Sequence, residues 1–493
     1  MAKILIAGGG PAGLAVGILA LKNGLEAEIY EKNAGPGGLC AQWNRRGYAL
    51  SAGPHWLPAA GPDGALRPLL LSLDALDPDF APAPPPVALT LRQSGVSLKL
   101  YRNLTRLEQE LTAVSPQDGP EILSLVNLLD RAGRLPFPME KPPDLMMAWQ
   151  RARLQIQASA VGRLLPYYRI SALEYSRNFH HPAIRALLLH AGPPGGSAAA
   201  SILALGRLLS PTGCYLPQGG GALIRRLVQT FQSLGGLLRT GCGVERALIS
   251  GDRVRGLLLR NGKTALGDYT ALACDPWISF DRLLGRRHMG PAFGDWYSSP
   301  ESRPVSSHFS CFFGLKGDPS PLCETPMGFE CRPLFPSAEA PDWLWLQAGK
   351  QGAPAGCQLL RCSLSLEESQ CDLWLTLAQN KERYGVEKHR FAMEIQRRMT
   401  EQFPQLEGRL RLLNSLTPAS YHRITGAYKG SFLGFQAGPG SRPETSAGQA
   451  AGLENCFLAS QWLHPPGGLS AAFTAAQFAV QRICRLERLR FHL

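Results

Sequence analysis

Gly8, Gly10 and Gly13 stand at G-x-G-x-x-G spacing, and a carboxylate, Glu31, follows at the end of the next apolar run. Residues of these types at this spacing hold a dinucleotide. Gly8 permits a tight turn, Gly10 lets the backbone approach a pyrophosphate, and Gly13 lets a helix pack close to a strand. Pro11 and Ala12 lie in this turn ahead of the helix, whose N-terminal amides favour phosphate. Glu31 is placed to accept hydrogen bonds from the adenosine ribose and would repel a 2′-phosphate, which disfavours NADP. Lys32 follows directly, and the small residues Gly37 and Gly38, with Leu39, allow a second backbone approach.

The elements that must position these residues are legible around them. Residues 3–7 read as a short buried parallel strand, 14–23 as a helix that Gly24 caps, and 26–30 as a second strand. Far downstream, Gly219-Gly220-Gly221 opens a helical stretch to residue 234. A strand at 237–240 and a hairpin of 244–249 with 254–259, beginning at Val244, follow it. Near the end, 456–459 is strand-like, 460–468 is a loop containing Gln461 and Gly468, and 469–484, beginning at Leu469, reads as a helix. This second strand–glycine loop–helix unit presents N-terminal amides to an electron-rich edge. An extended FAD needs both ends held, whereas NAD in an ordinary dehydrogenase uses no such C-terminal clamp, so FAD is the expected cofactor.

The run from Gly8 to Gly13, Glu31, Gly37-Gly38, and residues 47–55 ending in Gly53-Pro54-His55 resemble the phytoene desaturase-like flavoproteins. So do Pro217-Gln218-Gly219-Gly220, Cys274-Asp275-Pro276-Trp277 and residues 457–472. That family includes carotenoid desaturases, carotenoid isomerases and retinol saturases. The resemblance implies an α/β fold: a discontinuous Rossmann-like FAD-binding domain with an inserted α+β substrate domain. That second domain would contain a mixed or antiparallel sheet and a helical insertion. It also implies an apolar unsaturated substrate, carotenoid- or retinoid-like, that is desaturated, saturated or isomerised. The chain departs from the family pattern at Ser51, Ser460, Gln461, Ser470 and Ala471. Gln461 keeps hydrogen-bonding capacity toward a ribityl and phosphate chain.

The expected FAD domain comprises 1–85, 205–290 and 440–493, and the substrate domain 86–204 and 291–439, with 104–190 mainly helical. Residues 87–91 and 96–101 form a hairpin signal around Ser94-Gly95. Ser115 before Pro116 reads as a helix N-cap, and Ser171 with Glu174 as a capping box. Residues 308–315 and 358–364 are candidate floor strands. No Ser/His/Asp order or paired-carboxylate spacing stands out, which fits a flavin performing the redox step. His55 is the one candidate catalytic side chain, as a general acid or a tuner of the flavin; packing beside the cofactor is the favoured role. Tyr48, Trp56 and Trp462 are candidate walls of the pocket, and Cys274 reads as packing.

The 493 residues are 45% hydrophobic and 18% charged, the balance of a globular chain with more than one core. Twelve cysteines without a CxxC pair point to reduced thiols in a cytoplasmic protein and give no metal-site spacing. The formal charge of +13 has no Lys/Arg run with interleaved aromatics, which disfavours nucleic acid. No apolar run reaches the ~20 residues of a membrane helix. Peripheral contact with an anionic membrane stays open, with Arg482, Arg485, Arg488 and Arg490 as its basic cluster. Two other functions fit the same fold: an amine- or porphyrinogen-oxidase-like flavoenzyme, and a non-catalytic protein that binds a lipid or a partner's lipid group.

Overall fold

The computed structural model describes residues 1–53, 56–80, 84–135, 140–153, 162–216, 219–317, 325–335, 341–443, 446 and 448–493. The chain opens with strand β1 (Lys3–Ala7), helix α1 (Pro11–Lys22) and strand β2 (Glu26–Tyr30). The helix starts three residues before the expected position because Pro11 fits its first turn, where a missing N–H costs nothing. Asn23 ends it, with Gly24 left-handed just beyond.

These elements nucleate a five-stranded parallel sheet in the order Cys456–Leu458, Tyr269–Leu272, β1, β2, Leu237–Arg239. Parallel strands covered on both faces must be apolar throughout, and Ile4, Leu5, Ile6 and Ile29 are fully buried. Glu28 is the exception. It is buried between Lys3 at 2.7 Å and Arg239 at 2.5 Å, an ion-pair ladder across three strands. Burial pushes its carboxyl up, and the hydrogen bonds from Lys3 and Arg239 more than offset this, so it ends lowered. α1 and the C-terminal helix Leu469–Leu486 pack against each other. Both are buried on nearly every face, as expected of helices in the interior of a large protein. An antiparallel three-stranded sheet, Val244–Ser250, Arg253–Leu259 and Thr264–Leu266, flanks this body.

A second sheet has seven strands in the order Leu410–Leu416, Ser307–Lys316, Cys357–Leu366, Asp342–Gly349, Met327–Cys331, Val87–Gln93, Val96–Tyr101. Met327–Cys331 runs parallel to Val87–Gln93 and every other pair is antiparallel, so the sheet is mixed. The turn at Ser94 and Gly95 has positive φ at both residues, the hairpin geometry that matches strand twist. Helices Leu104–Val114, Gly119–Gly133, Pro182–His190 and Ala198–Leu209 pack with the Val87–Tyr101 hairpin in one core. Lys381–Gln402 packs with the central strands in another.

Ser171 caps its helix, accepting the Glu174 amide at 3.0 Å. Ser115 does not cap. Its hydroxyl donates to Asp118 at 2.7 Å, and the long helix begins only at Gly119, after a 3-10 turn. Asp118 captures the hydroxyl because it is a buried hub that also accepts the His180 amide at 2.9 Å and contacts the His180 ring at 2.6 Å. Burial raises this carboxyl, yet the hydrogen bonds from His180 and Ser115 win and hold it down at about 2.

Three histidines give the fold a pH dependence. Burial lowers His190, His308 and His464 to about 4 each. The unfolded chain takes up these protons near pH 6.5, and the folded one only near pH 4. Their contribution is therefore complete above pH 6.5 and is lost as pH falls toward 4, on the order of 1–3 kcal/mol for each. Urea midpoints between pH 7.5 and 4.5 should drop steeply; a flat profile would place these rings in contact with water.

Candidate functional site

The turn between β1 and α1 is built by backbone contact. Gly8 donates to the Tyr30 carbonyl at 2.9 Å, and a Cβ on Gly13 would lie 1.9 Å from the Gly8 oxygen. Only glycine lets the helix sit there. Gly10 is the opposite case: a Cβ would meet nothing within 4 Å, so its backbone faces open space. α1 has no side-chain cap and no acid in its first turn. Its first-turn amides, behind Pro11 and Ala12, remain available to an anion.

Glu31 is buried, and its carboxylate is held on both oxygens. One accepts the Gly9 amide at 2.8 Å; the other accepts the backbone and side-chain nitrogens of Asn33 at 2.8 and 2.7 Å. A carboxylate has about four acceptor sites, so capacity remains for ribose hydroxyls. Residues 423–428 close this end from a distant part of the chain. The Arg423 carbonyl accepts Lys32 Nζ and the Ile424 carbonyl accepts Asn33 Nδ2, both at 3.0 Å. Asp275 binds the Tyr428 amide at 2.5 Å, the Trp277 amide at 2.7 Å and the Tyr297 hydroxyl at 3.0 Å. Desolvation outweighs these three donors and raises Asp275 to about 6. Val244 and Arg260 complete the wall.

Gly38 and Leu39 line the cavity beyond Gly10, whereas Gly37 works behind them, donating to the Gly9 carbonyl at 2.8 Å. At the far end lies the second glycine loop. Gly468 precedes the C-terminal helix with φ +91°, and that helix again has neither a side-chain cap nor an acid in its first turn. Gln461 holds the loop: its side-chain oxygen accepts the Gly468 amide at 2.9 Å. It thus lines the cavity through a hydrogen bond spent within the protein. Leu469, Trp56, Leu57, Phe432 and Leu433 make the surrounding wall apolar.

Together these groups line one cavity of about 540 Å³ running from Glu31 to Gly468. Of the cofactor-binding residues expected from the sequence, Gly8, Gly10, Pro11, Ala12, Glu31, Lys32, Gly38, Leu39, Val244, Gln461, Gly468 and Leu469 line it. Gly13 and Gly37 support it from outside. Trp56 and Trp462 are wall residues, but Tyr48 is not. Tyr48 packs against Gly314 in a separate cluster with Phe312 and Tyr421, because the strand Tyr48–Ser51 turns that face away. Cys274 is a half-buried wall residue 3.3 Å from the Ser279 hydroxyl, its thiol pushed up by desolvation to about 11. That protonated state suits packing. His55 lies outside the described residues. Sequence reasoning missed Arg207, Arg260, Ile424, Thr425, Ala427, Phe432 and Leu433, which reach the cavity through tertiary packing and carry no local motif.

The fit to a dinucleotide is geometric: open space over Gly10, a buried carboxylate at the end of β2 and two uncapped helix N-termini facing one cavity. Replacing Glu31 with alanine should weaken FAD by about 1.5–3 kcal/mol through lost charge-assisted hydrogen bonds. Titration of the apoprotein measures this, and unchanged affinity would leave the carboxylate with the turn alone.

A family model described as an NAD(P)-binding Rossmann-like domain matches residues 6–73. The chain is 25% identical over 335 residues to a lycopene-forming phytoene desaturase of Pseudescherichia vulneris, covering 65% of each protein. It is 25% identical over 328 residues to the corresponding enzyme of Pantoea ananas, covering 64% of each. The match thus spans less than two thirds of those relatives' own length. Among solved structures, an engineered triple mutant of putrescine oxidase superposes with a TM-score of 0.64 at 14% identity, over 99% of both chains. That likeness is one of fold. The dinucleotide turn, the parallel sheet and the sequence matches agree: the chain is similar to phytoene desaturases and carries a Rossmann-like dinucleotide-binding segment.

Proposed function

We propose that this protein is an FAD-dependent oxidoreductase that desaturates, saturates or isomerises an apolar unsaturated substrate. The observation that carries the reading is the single cavity with a dinucleotide turn at one end and an apolar chamber beside a second helix N-terminus at the other. When bound, FAD supplies the hydride acceptor or donor. The chain's own groups bind, orient and exclude water. The α1 amides and Gly10 would hold the pyrophosphate, Glu31 the ribose, and the amides of Leu469 and Ser470 the flavin's electron-rich edge. Trp56, Leu57, Phe432 and Leu433 keep the reacting region dry. An amine substrate is not favoured: the Trp56 ring already carries a cation, with the Arg102 guanidinium carbon 4.2 Å from its centroid. A flavin absorbance band in the purified protein, and altered polyene products after incubation with oxidised or reduced protein, would support the reading. A protein without flavin that reconstitutes with none would overturn it.

A polyene resides in lipid, so the reading extends to peripheral membrane attachment. Among the described residues no helix is long and apolar enough to cross a membrane. Arg482 does not serve as a surface charge, because it is buried and paired with Asp144 at 2.6 Å. Arg485, Arg488 and Arg490 are exposed beside the exposed Leu486 and Leu489. Each such arginine contributes about 1 kcal/mol at an anionic surface. Co-sedimentation with anionic vesicles should be clear at low salt and lost at high salt; no binding at low salt removes the proposal.

A further inference from the structure

A second cavity, of about 350 Å³, lies between the hairpin of residues 42–51, the helix Gly219–Ser233 and the seven-stranded sheet. Its character differs from that of the first. Its mouth carries the exposed side chains of Gln42 and Arg225, joined at 2.7 Å. Its floor is the buried pair Leu216 and Phe312, and Arg361 rises between them from the sheet. Among the described residues no carboxylate lines it.

Arg361 is one of several arginines with a buried unpartnered nitrogen, and the one of these that lines this cavity. Its Nε is buried and has no acceptor. Its terminal nitrogens lie 3.4 Å from the Gly53 carbonyl and 3.5 Å from the Ser310 hydroxyl, both long contacts to neutral oxygens. A half-buried guanidinium normally meets a carboxylate or phosphate in its planar fork. Among the described residues no carboxylate meets it, while a cavity opens in front of the charge. The position is also informative. Arg361 lies 5.8 Å from the Phe312 ring of this cavity and 6.0 Å from the Phe432 ring of the first. Trp56 of the first cavity and Tyr215 of the second stand edge to face at 5.0 Å. The two cavities therefore adjoin through these rings.

We infer that the second cavity binds the carboxylate head of an amphiphilic substrate, with Arg361 as the principal contact and Arg225 at the entrance. The inference rests on the proposed redox reading of the first cavity, where the unsaturated portion would lie. It narrows the substrate from a plain hydrocarbon to an unsaturated chain bearing an acid. Arg361 acts here in specificity, through recognition of the head group.

The test compares all-trans-retinoic acid with all-trans-retinol, which share a chain and differ in charge. Binding to the full-length protein is read by quenching of tryptophan fluorescence, and flavin content by absorbance. Wild type should bind the acid about tenfold more tightly than the alcohol, or better. Arg361→Gln should abolish that preference while keeping the alcohol affinity and the flavin. Arg361→Lys should retain part of it, and Arg225→Gln should lower it by about two- to threefold, as for an exposed charge. Equal binding of acid and alcohol by wild type overturns the inference. So does a full preference surviving in Arg361→Gln, or an equal loss of both ligands in Arg361→Lys. A protein that holds no flavin yet selects the acid through Arg361 would sink the redox reading and leave the carboxylate site standing.

Discussion

Gly13→Ala is expected to prevent stable folding. Its methyl group would lie 1.9 Å from the Gly8 oxygen and 3.2 Å from the Ala273 Cβ, both in the rigid centre of the molecule. The neighbour is backbone, so no rotamer change relieves the contact. Relief needs α1 to withdraw from β1, and α1 is buried from Ala12 to Ala20. A cost of about 3–5 kcal/mol follows, at the upper end for overpacking. Most of the stability of a domain would be gone. Urea unfolding and the yield of monodisperse protein measure it; a variant as stable as wild type would mean that the strand–helix contact is looser than this geometry.

Gly10→Val should do the reverse, leaving the fold and removing the flavin. The site has φ −78° and open space where the side chain would project, so the native chain tolerates it. That open space is the proposed seat of the pyrophosphate. Filling it with a branched side chain should lower FAD affinity by at least about a hundredfold, or ~3 kcal/mol. Unfolding midpoints of the apoproteins should agree within about 1 kcal/mol. Flavin stoichiometry after gel filtration is the measurement. Full occupancy in the variant would move the phosphates elsewhere. Read together, the two glycines separate a folding requirement from a binding requirement within one turn.

The parts of the fold legible in the sequence are those whose signal is local. β1, α1 and β2 follow from an apolar run, glycine spacing and a second apolar run. The hairpin at Ser94-Gly95 follows from period-two alternation around a turn pair, and the C-terminal helix from its glycine loop. The 22-residue helix Lys381–Gln402 was not singled out, because its charged surface hides a narrow apolar stripe of Phe391, Ile395 and Met399. The start of α1 was missed because a proline reads as an interruption as easily as a first turn. Half of the candidate site is invisible locally for a different reason. Ile424, Thr425 and Phe432 reach the cavity only because Lys32, Asn33 and Asp275 bind carbonyls and an amide of that distant segment. Nothing in the segment itself marks it. Tyr48 shows the same limit in reverse: a motif neighbour of the cavity wall faces another core, since strand geometry alternates its side chains.

The parallel sheet orders the events of synthesis. β1 and α1 emerge from the ribosome well before the edge strand Cys456–Leu458 and the helix Leu469–Leu486, which follow after more than four hundred intervening residues. The two helix N-termini that face one cavity therefore cannot coexist on a nascent chain until residues 456–486 have been released. Until then the apolar surface of α1 that this helix covers has no partner. Any cofactor captured by both ends can be held only once residues 456–486 have emerged, so cofactor supply acts on a waiting apoprotein and sets how much of it survives quality control.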